Sequence, residues 1–359
     1  MSIKSIIKRI MRPVVRPLMV RIRNIVREEL ESVRKETVEC KLSYAEAQLE
    51  TDKILMRLAG LERRLRAHVR NEVPFDYSCD ICDRRAFSLL FDRERNGEDM
   101  YNYICESCGF VFMWPRPTEK ELMQLYQQSE FSLTARGSVM PDAQKYYDCE
   151  RAAMVRYSDF QKHLSDACLD RPKGLALDIG TGVGSFVDVL RRNEYEAEGL
   201  EPDVTYAENS EKHYSITVHK VPLENFKPTR KYNLITAFNV LEHVLHPMRF
   251  VEDMRDLLHD AGILYLDMPG LDQMHTDIDK FFWKPHINTF TISSLRDLLQ
   301  KCGFEPIYIG YSSLGFLDVM AKKDISASRT MKIGSSQALN VARAKSIIDA
   351  AYYQTGQLV

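Results

Sequence analysis

The run GLALDIGTGVGSFVDVLRRN, residues 174–193, constrains the fold more than any other stretch of the chain. A short apolar segment ends in a loop with glycines at 180, 182 and 184, and the residues that follow take helical spacing. An apolar run of that length reads as a strand buried on both faces, and strand, glycine loop and helix together make the turn found in nucleotide-binding sheets. The alternation continues with EAEGLEP and DVTYAENSEKHY, then YNLITAFNV and a helix from about 246 to 259, then GILYLDMPG. Repeated strand and helix predict a doubly wound, Rossmann-like α/β sheet with helices on both faces.

The residues around that loop narrow the ligand. Glu201 stands 21 positions after Gly180, at the end of the second strand and before Pro202, where a carboxylate can accept hydrogen bonds from both hydroxyls of a ribose. A dinucleotide fingerprint spaces its glycines Gly-x-Gly-x-x-Gly, so that backbone amides meet a pyrophosphate. Here the order is Gly180-Thr181-Gly182-Val183-Gly184, preceded by Asp178. An acid at the strand tip repels a pyrophosphate and attracts an ammonium or sulfonium group, which disfavours a nicotinamide dehydrogenase and favours S-adenosylmethionine. The blander readings are that the glycines let helix and strand pack closely, and that Glu201 is a surface carboxylate.

Upstream, Cys79 and Cys82 form one Cys-x-x-Cys pair, and Cys105 and Cys108 form another, separated from it by 22 residues. Two such turns brought together give a tetrahedral sulfur cage, and Gly109 suits a knuckle that needs positive φ. Structural zinc is expected over disulfides or redox thiols, because no secretory segment is evident and redox chemistry needs only one pair. Four protein ligands fill the shell, so that metal holds a fold and takes no part in catalysis. Thr118, three residues before Glu121, opens a helix with a capping box and leads into the main domain.

The first 27 residues carry Lys4, Lys8, Arg9, Arg12, Arg16, Arg21, Arg23 and Arg27 and no acid, interleaved with aliphatic residues at helical spacing. Such a segment can lie on an anionic membrane surface, although a solvated tail or targeting peptide is a competing reading. No apolar run is long enough to span a bilayer, so the expected location is the cytoplasm, with peripheral contact on the membrane's inner face. Val38, Leu42, Ala45 and Leu49, then Ile54, Leu58, Leu61, Leu65 and Val69, form two out-of-phase heptad seams. They predict a coiled coil that makes the protein a homo-oligomer, ahead of the competing reading, a lone helix packed on its own catalytic domain. With 49 Lys and Arg against 51 Asp and Glu, no overall basic field points to nucleic acid. The expected organisation is a basic amphipathic segment at 1–27, a coiled-coil helix at 28–72, a zinc module at 75–117, a catalytic domain at 118–322 and a linker with a helix at 323–359.

With these residues in view, the chain resembles the class I S-adenosylmethionine-dependent methyltransferases. LDIGTGVGSF resembles their first motif, GLEPD their second-strand acid, and FNVLEHVLHP the signature after their fourth strand. CESCGFVFMWPRPTEKELMQLY is similar to the zinc module of bacterial methyltransferases acting on polysaccharide and natural-product sugars, and FWKPHINTFTISSLRDLLQKCGF to the region after their fifth strand. The two resemblances together cover about residues 79–322.

The resemblance implies that Asp178, Gly180, Thr181, Gly182 and Gly184 line the cofactor, that Glu201 and Pro202 lie at its ribose, and that Asn239 faces it. Val221, Pro222 and Leu223 fall where that family packs adenine, or are plain core. His286 and His243 are the candidate catalytic residues for a sugar or glycan acceptor. His286 has neighbouring aromatic residues Phe281, Phe282 and Trp283 to stack on a sugar, and an imidazole of ordinary pKa needs no tuning to act as base. His243 reads equally as a helix-start residue shaping the cofactor pocket. The related sugar C-methyltransferases have Glu before the second His where this chain has Pro285, which puts O-methylation ahead of C-methylation. A non-catalytic scaffold, with a coiled coil and a ligand-binding domain, is the alternative from another class.

Overall fold

A computed structural model describes residues 28, 31, 77–122, 140–273 and 278–324. The chain divides into two units, Met1–Pro74 and Phe75–Val359. In the first, Glu28 and Glu31 are helical. The basic segment, the rest of the heptad stretch and the segment beyond Asp324 lie outside the described residues.

The second unit begins with three antiparallel strands, β1 (Phe87–Arg93), β2 (Asp99–Cys105) and β3 (Val111–Trp114). Cys79 and Cys82 precede β1, Cys105 ends β2, and Cys108 sits in the turn to β3. Gly109 takes φ 76° there, the conformation the knuckle required of it, and its N–H donates to the Cys105 carbonyl. The capping box forms as the spacing predicts: Thr118 Oγ1 accepts the Glu121 N–H at 3.2 Å and Glu121 Oε2 accepts the Thr118 N–H at 2.8 Å.

Beyond α1 (Ala143–Asp166), strand and helix alternate. The elements are β4 (Leu175–Ile179), α2 (Ser185–Arg192), β5 (Glu196–Leu200), α3 (Val204–Tyr214), β6 (Val218–His219), β7 (Tyr232–Phe238), α4 (Pro247–Leu257) and β8 (Leu258–Met268). There follow α5 (Ile278–Phe281), β9 (Asn288–Thr289), α6 (Ile292–Lys301), β10 (Phe304–Tyr311) and β11 (Leu317–Lys323). The large sheet has the order β10-β11-β8-β7-β4-β5-β6. β4, β5, β6, β7 and β8 pair parallel, and β11 runs antiparallel to both its neighbours. β4 is buried along its whole length. Its Leu175, Leu177 and Ile179 enter one core, and Ala176 enters the other with Phe160, Phe186 and Leu234, as period-two alternation between two helical layers requires.

Two features differ from the sequence reading. Strand β8 starts at Leu258 and α4 ends at Leu257, so helix passes to strand about four residues before GILYLDMPG, because Leu258 already pairs with Tyr232. The boundary drawn at residue 117 is also crossed by a sheet. β9 adds to β3 through Val111–Thr289 and Phe112–Asn288, and Cys79, Cys105 and Cys108 share a core with Leu177 and Ile179. The cysteine strands and the large sheet are thus packed on each other.

Candidate active site

The glycine loop joins β4 to α2 at the carboxyl edge of the sheet, where ligands of such folds bind. All three glycines have positive φ: 70° at Gly180, 55° at Gly182 and 85° at Gly184. Their surroundings separate their roles. A Cβ at Gly180 would lie 2.5 Å from Val240 Cγ2, and one at Gly184 would lie 2.6 Å from Ile216 Cδ1 and 2.8 Å from Ser210 Cβ. At Gly182 the nearest atom would be the Gly180 carbonyl oxygen at 3.9 Å. Gly180 and Gly184 therefore serve close packing, and Gly182 is the one that leaves room for an approaching molecule. The sequence reading missed Gly199 in β5, where a Cβ would meet Thr181 Cγ2 at 2.7 Å. A glycine inside a strand is the signal that marks such a close approach.

Glu201 is buried and clamps the loop: Oε2 accepts the Gly182 N–H at 2.9 Å and Oε1 accepts the Asp203 N–H at 3.0 Å. Pro202 beside it is exposed. Asp178 is only 3% exposed and accepts a hydrogen bond from Thr236 Oγ1 on β7 at 2.6 Å. Burial lifts its carboxyl to about 6 against the pull of that bond. Asp178 thus braces the loop from beneath. Asn239, half-buried at φ 53°, donates its N–H to the Asp267 carbonyl at 2.9 Å. The buried Asp267 carboxylate is in turn gripped by Arg156 of α1, Nε to Oδ2 at 2.6 Å, and that guanidinium lies 4.7 Å over the Phe238 ring. Sequence reasoning missed this pair; its trace was an acid, Asp267, at the end of the apolar run Ile263–Met268. Leu223 is buried and Val221 packs on the same core, which favours the plain-core reading of that stretch.

Val240, which packs on the loop at Gly180, leads into a short 3-10 turn, Leu241–His243. His243 Nδ1 lies 2.9 Å from the Pro285 carbonyl oxygen, which can only accept, so Nδ1 donates, and in the neutral ring Nε2 carries the lone pair. That Nε2 is 3.8 Å from Glu242 Oε1. Glu242 is fully enclosed, burial pushes its carboxyl up to about 8, and neither oxygen takes a hydrogen bond from another described residue. The His286 ring lies 4.9 Å, centre to centre, from both His243 and Trp283, and Arg95 stacks 4.2 Å over Trp283. The structure therefore brings the two histidines together and adds Glu242 to them.

Two expectations for this loop need correction. Burial first, then His243 and Arg95, hold His286 well below the ordinary imidazole pKa, so it is a neutral but weakened base. Of the aromatic residues expected at the acceptor, only Trp283 reaches His286. Phe282 is buried against Phe91, with ring centres 5.2 Å apart, and exposed Lys284 pairs with Glu98.

The four paired cysteines also converge. Cys79 and Cys108 sulfurs are 3.6 Å apart, Cys82 and Cys105 sulfurs 3.4 Å, and all four lie within 4.8 Å of one another as free thiols. A tetrahedral zinc with bonds of about 2.3 Å sets its sulfurs about 3.8 Å apart, so the cluster fits that ion. Among the described residues no helix is long and apolar enough to cross a membrane.

Residues 151–309 match the family model described as a methyltransferase domain. The chain is similar to magnesium protoporphyrin IX methyltransferase from Synechocystis PCC 6803, solved with bound S-adenosylmethionine. The identity is 15% over 58% of this chain and 99% of that one, with a TM-score of 0.42. It is also similar to an S-adenosylmethionine-dependent methyltransferase from Thermotoga maritima, a possible histamine N-methyltransferase. There the identity is 22% over 50% of this chain and 95% of that one, with a TM-score of 0.38. No curated protein matches the chain. The match over residues 151–309, with the sheet order and the glycine loop after β4 in agreement, identifies a methyltransferase domain in this part of the chain, and the protein is an enzyme.

Proposed function

We propose that the enzyme O-methylates a sugar or glycan-linked acceptor at the mouth formed by His243, His286 and Trp283. The observation that carries this reading is the packing of Val240 on Gly180, which seats the His243 turn directly on the cofactor loop. Bound S-adenosylmethionine supplies a methyl group made electrophilic by its sulfonium. The chain's own residues hold the glycine loop through Glu201 and Asp178 and set two imidazoles where an acceptor hydroxyl must shed its proton. Where the related C-methyltransferases have Glu, Pro285 here brings no side-chain carboxylate, which supports oxygen over carbon as the nucleophile; its backbone carbonyl accepts from His243.

The same reading assigns Cys79, Cys82, Cys105 and Cys108 to a structural zinc. It assigns residues 28–72 to self-association, and residues 1–27 to contact with an anionic membrane surface, which avidity in an oligomer would strengthen.

The test is methyl transfer from labelled S-adenosylmethionine to a panel of sugar nucleotides and glycans. His286→Ala should lower turnover by ~100-fold or more while S-adenosylhomocysteine affinity stays near wild type. Undiminished turnover in that variant would refute the assignment of His286.

A further inference from the structure

We propose that Glu242, His243 and His286 form a second metal site, taking one divalent first-row transition ion that receives the acceptor's hydroxyl. The inference rests on the hydroxyl-methylation reading above and extends it. One ligand atom from each of the three residues comes within 4.8 Å of the others, and His243 Nε2 is 3.8 Å from Glu242 Oε1. An ion with bonds of about 2.1 Å holds its ligands roughly 3.0–3.5 Å apart, so the three side chains must draw together by on the order of an ångström to complete the site.

Three further observations point to a cation. Glu242 is 1% exposed, yet neither carboxylate oxygen takes a hydrogen bond from another described residue, an arrangement that a fold rarely tolerates without a counter-charge. His243 donates Nδ1–H to the Pro285 carbonyl, which aims the Nε2 lone pair at the gap; a ligating histidine is ordinarily fixed in that way by its outer partner. The His286 ring faces the same gap from a separate loop. Two imidazoles and one carboxylate suit zinc, iron(II) or manganese(II), and three protein ligands leave coordination positions open for substrate.

An oxygen bound at such a position loses its proton readily. The balance is then complete: the O–CH3 bond forms as the S–CH3 bond breaks, S-adenosylhomocysteine leaves as a neutral thioether, and the hydroxyl proton passes to solvent.

The experiment titrates Mn2+ into the full-length, zinc-loaded protein and follows the paramagnetic resonance signal of the free ion, since thiolates are poor manganese ligands. The expected result is one Mn2+ bound per chain in the wild type, weakened at least tenfold in both Glu242→Gln and His286→Gln. S-adenosylhomocysteine binding is measured in the same samples to show that each variant is folded. A wild type that leaves the free Mn2+ signal unchanged, or a Glu242→Gln variant that binds as the wild type does, overturns the metal site. If S-adenosylhomocysteine still binds in that case, the methyltransferase reading stands without it.

Discussion

Alanine at Gly182 and alanine at Gly184 should fail in different ways, although the two glycines are two residues apart in one loop. At Gly184 the added methyl carbon would sit 2.6 Å from Ile216 Cδ1 and 2.8 Å from Ser210 Cβ, at φ 85°. Left-handed backbone costs a non-glycine residue ~1–2 kcal/mol and overpacking a core ~1–3 kcal/mol more. Together these give a destabilisation of ~2–5 kcal/mol, or a fall in Tm of roughly 10 °C at ~2–4 °C per kcal/mol for a domain of this size. At Gly182 the methyl would meet nothing nearer than 3.9 Å, so only the backbone term of ~1–2 kcal/mol applies. The methyl group would instead occupy the space that an approaching cofactor needs. Calorimetric titration with S-adenosylhomocysteine should show at least a tenfold loss of affinity for Gly182→Ala, with Tm lowered by only ~2–8 °C. Gly184→Ala should show the larger loss of Tm, with binding measured below its transition nearer to wild type. A Gly182→Ala protein that binds as tightly as the wild type, or a Gly184→Ala protein of undiminished Tm, would refute the division of labour drawn from these distances.

Two further outcomes are expected. Asp178 titrates at about 6 in the fold and at about 3.9 when exposed, so the native state holds the proton more tightly and stability from this group falls as pH rises from about 4 through 6. The whole penalty, on the order of 3 kcal/mol, is then present at pH 7. Asp178→Asn, which keeps an acceptor for Thr236, should flatten urea-measured stability between pH 4 and 6 and be no less stable than wild type at pH 7. A clear loss at pH 7 would show that attraction to Arg156 outweighs burial. For the cysteine cluster, elemental analysis should find about one zinc per chain, lost when Cys105 and Cys108 are both replaced by Ser; undiminished zinc in that double variant would remove the cage.

What could be read in the sequence was what short-range chemistry decides. The β4 strand, glycine loop and α2 helix lie within one stretch of residues 174–193, and apolar period, positive-φ glycines and helical spacing all agree there. The same holds for the Gly109 knuckle and the Thr118–Glu121 box, which are set by neighbours one to three residues away. The missed features join distant segments. Arg156 reaches Asp267 across 111 positions, and the two-residue strand β9 is too short to leave a periodicity and exists only because β3 offers it an edge. Glu242 was visible as part of a motif, but the lack of a hydrogen bond to its carboxylate from another described residue is a property of the packed site alone.

The pairing of β3 with β9 explains why a cysteine module and a methyltransferase sheet should occur in one unit. The loop that carries Trp283, Pro285 and His286 is not held by the large sheet alone. Met113 donates its N–H to the Ile287 carbonyl, Arg95 donates its N–H to the Phe282 carbonyl, and Phe91 stacks on Phe282. Arg116 binds the Ile287 carbonyl and Asn288 Oδ1 with one nitrogen, and Asp80 and the Leu245 carbonyl with the other. Asp80 lies between Cys79 and Cys82, so one guanidinium ties the cysteine knuckle, the loop of His286 and the segment after His243 to each other. The cofactor side of the site is therefore fixed by β4, β5 and β7, whereas the His286 side is fixed largely by the small sheet. Anything that loosens the cysteine cluster acts on the placement of His286 against His243 before it reaches the glycine loop.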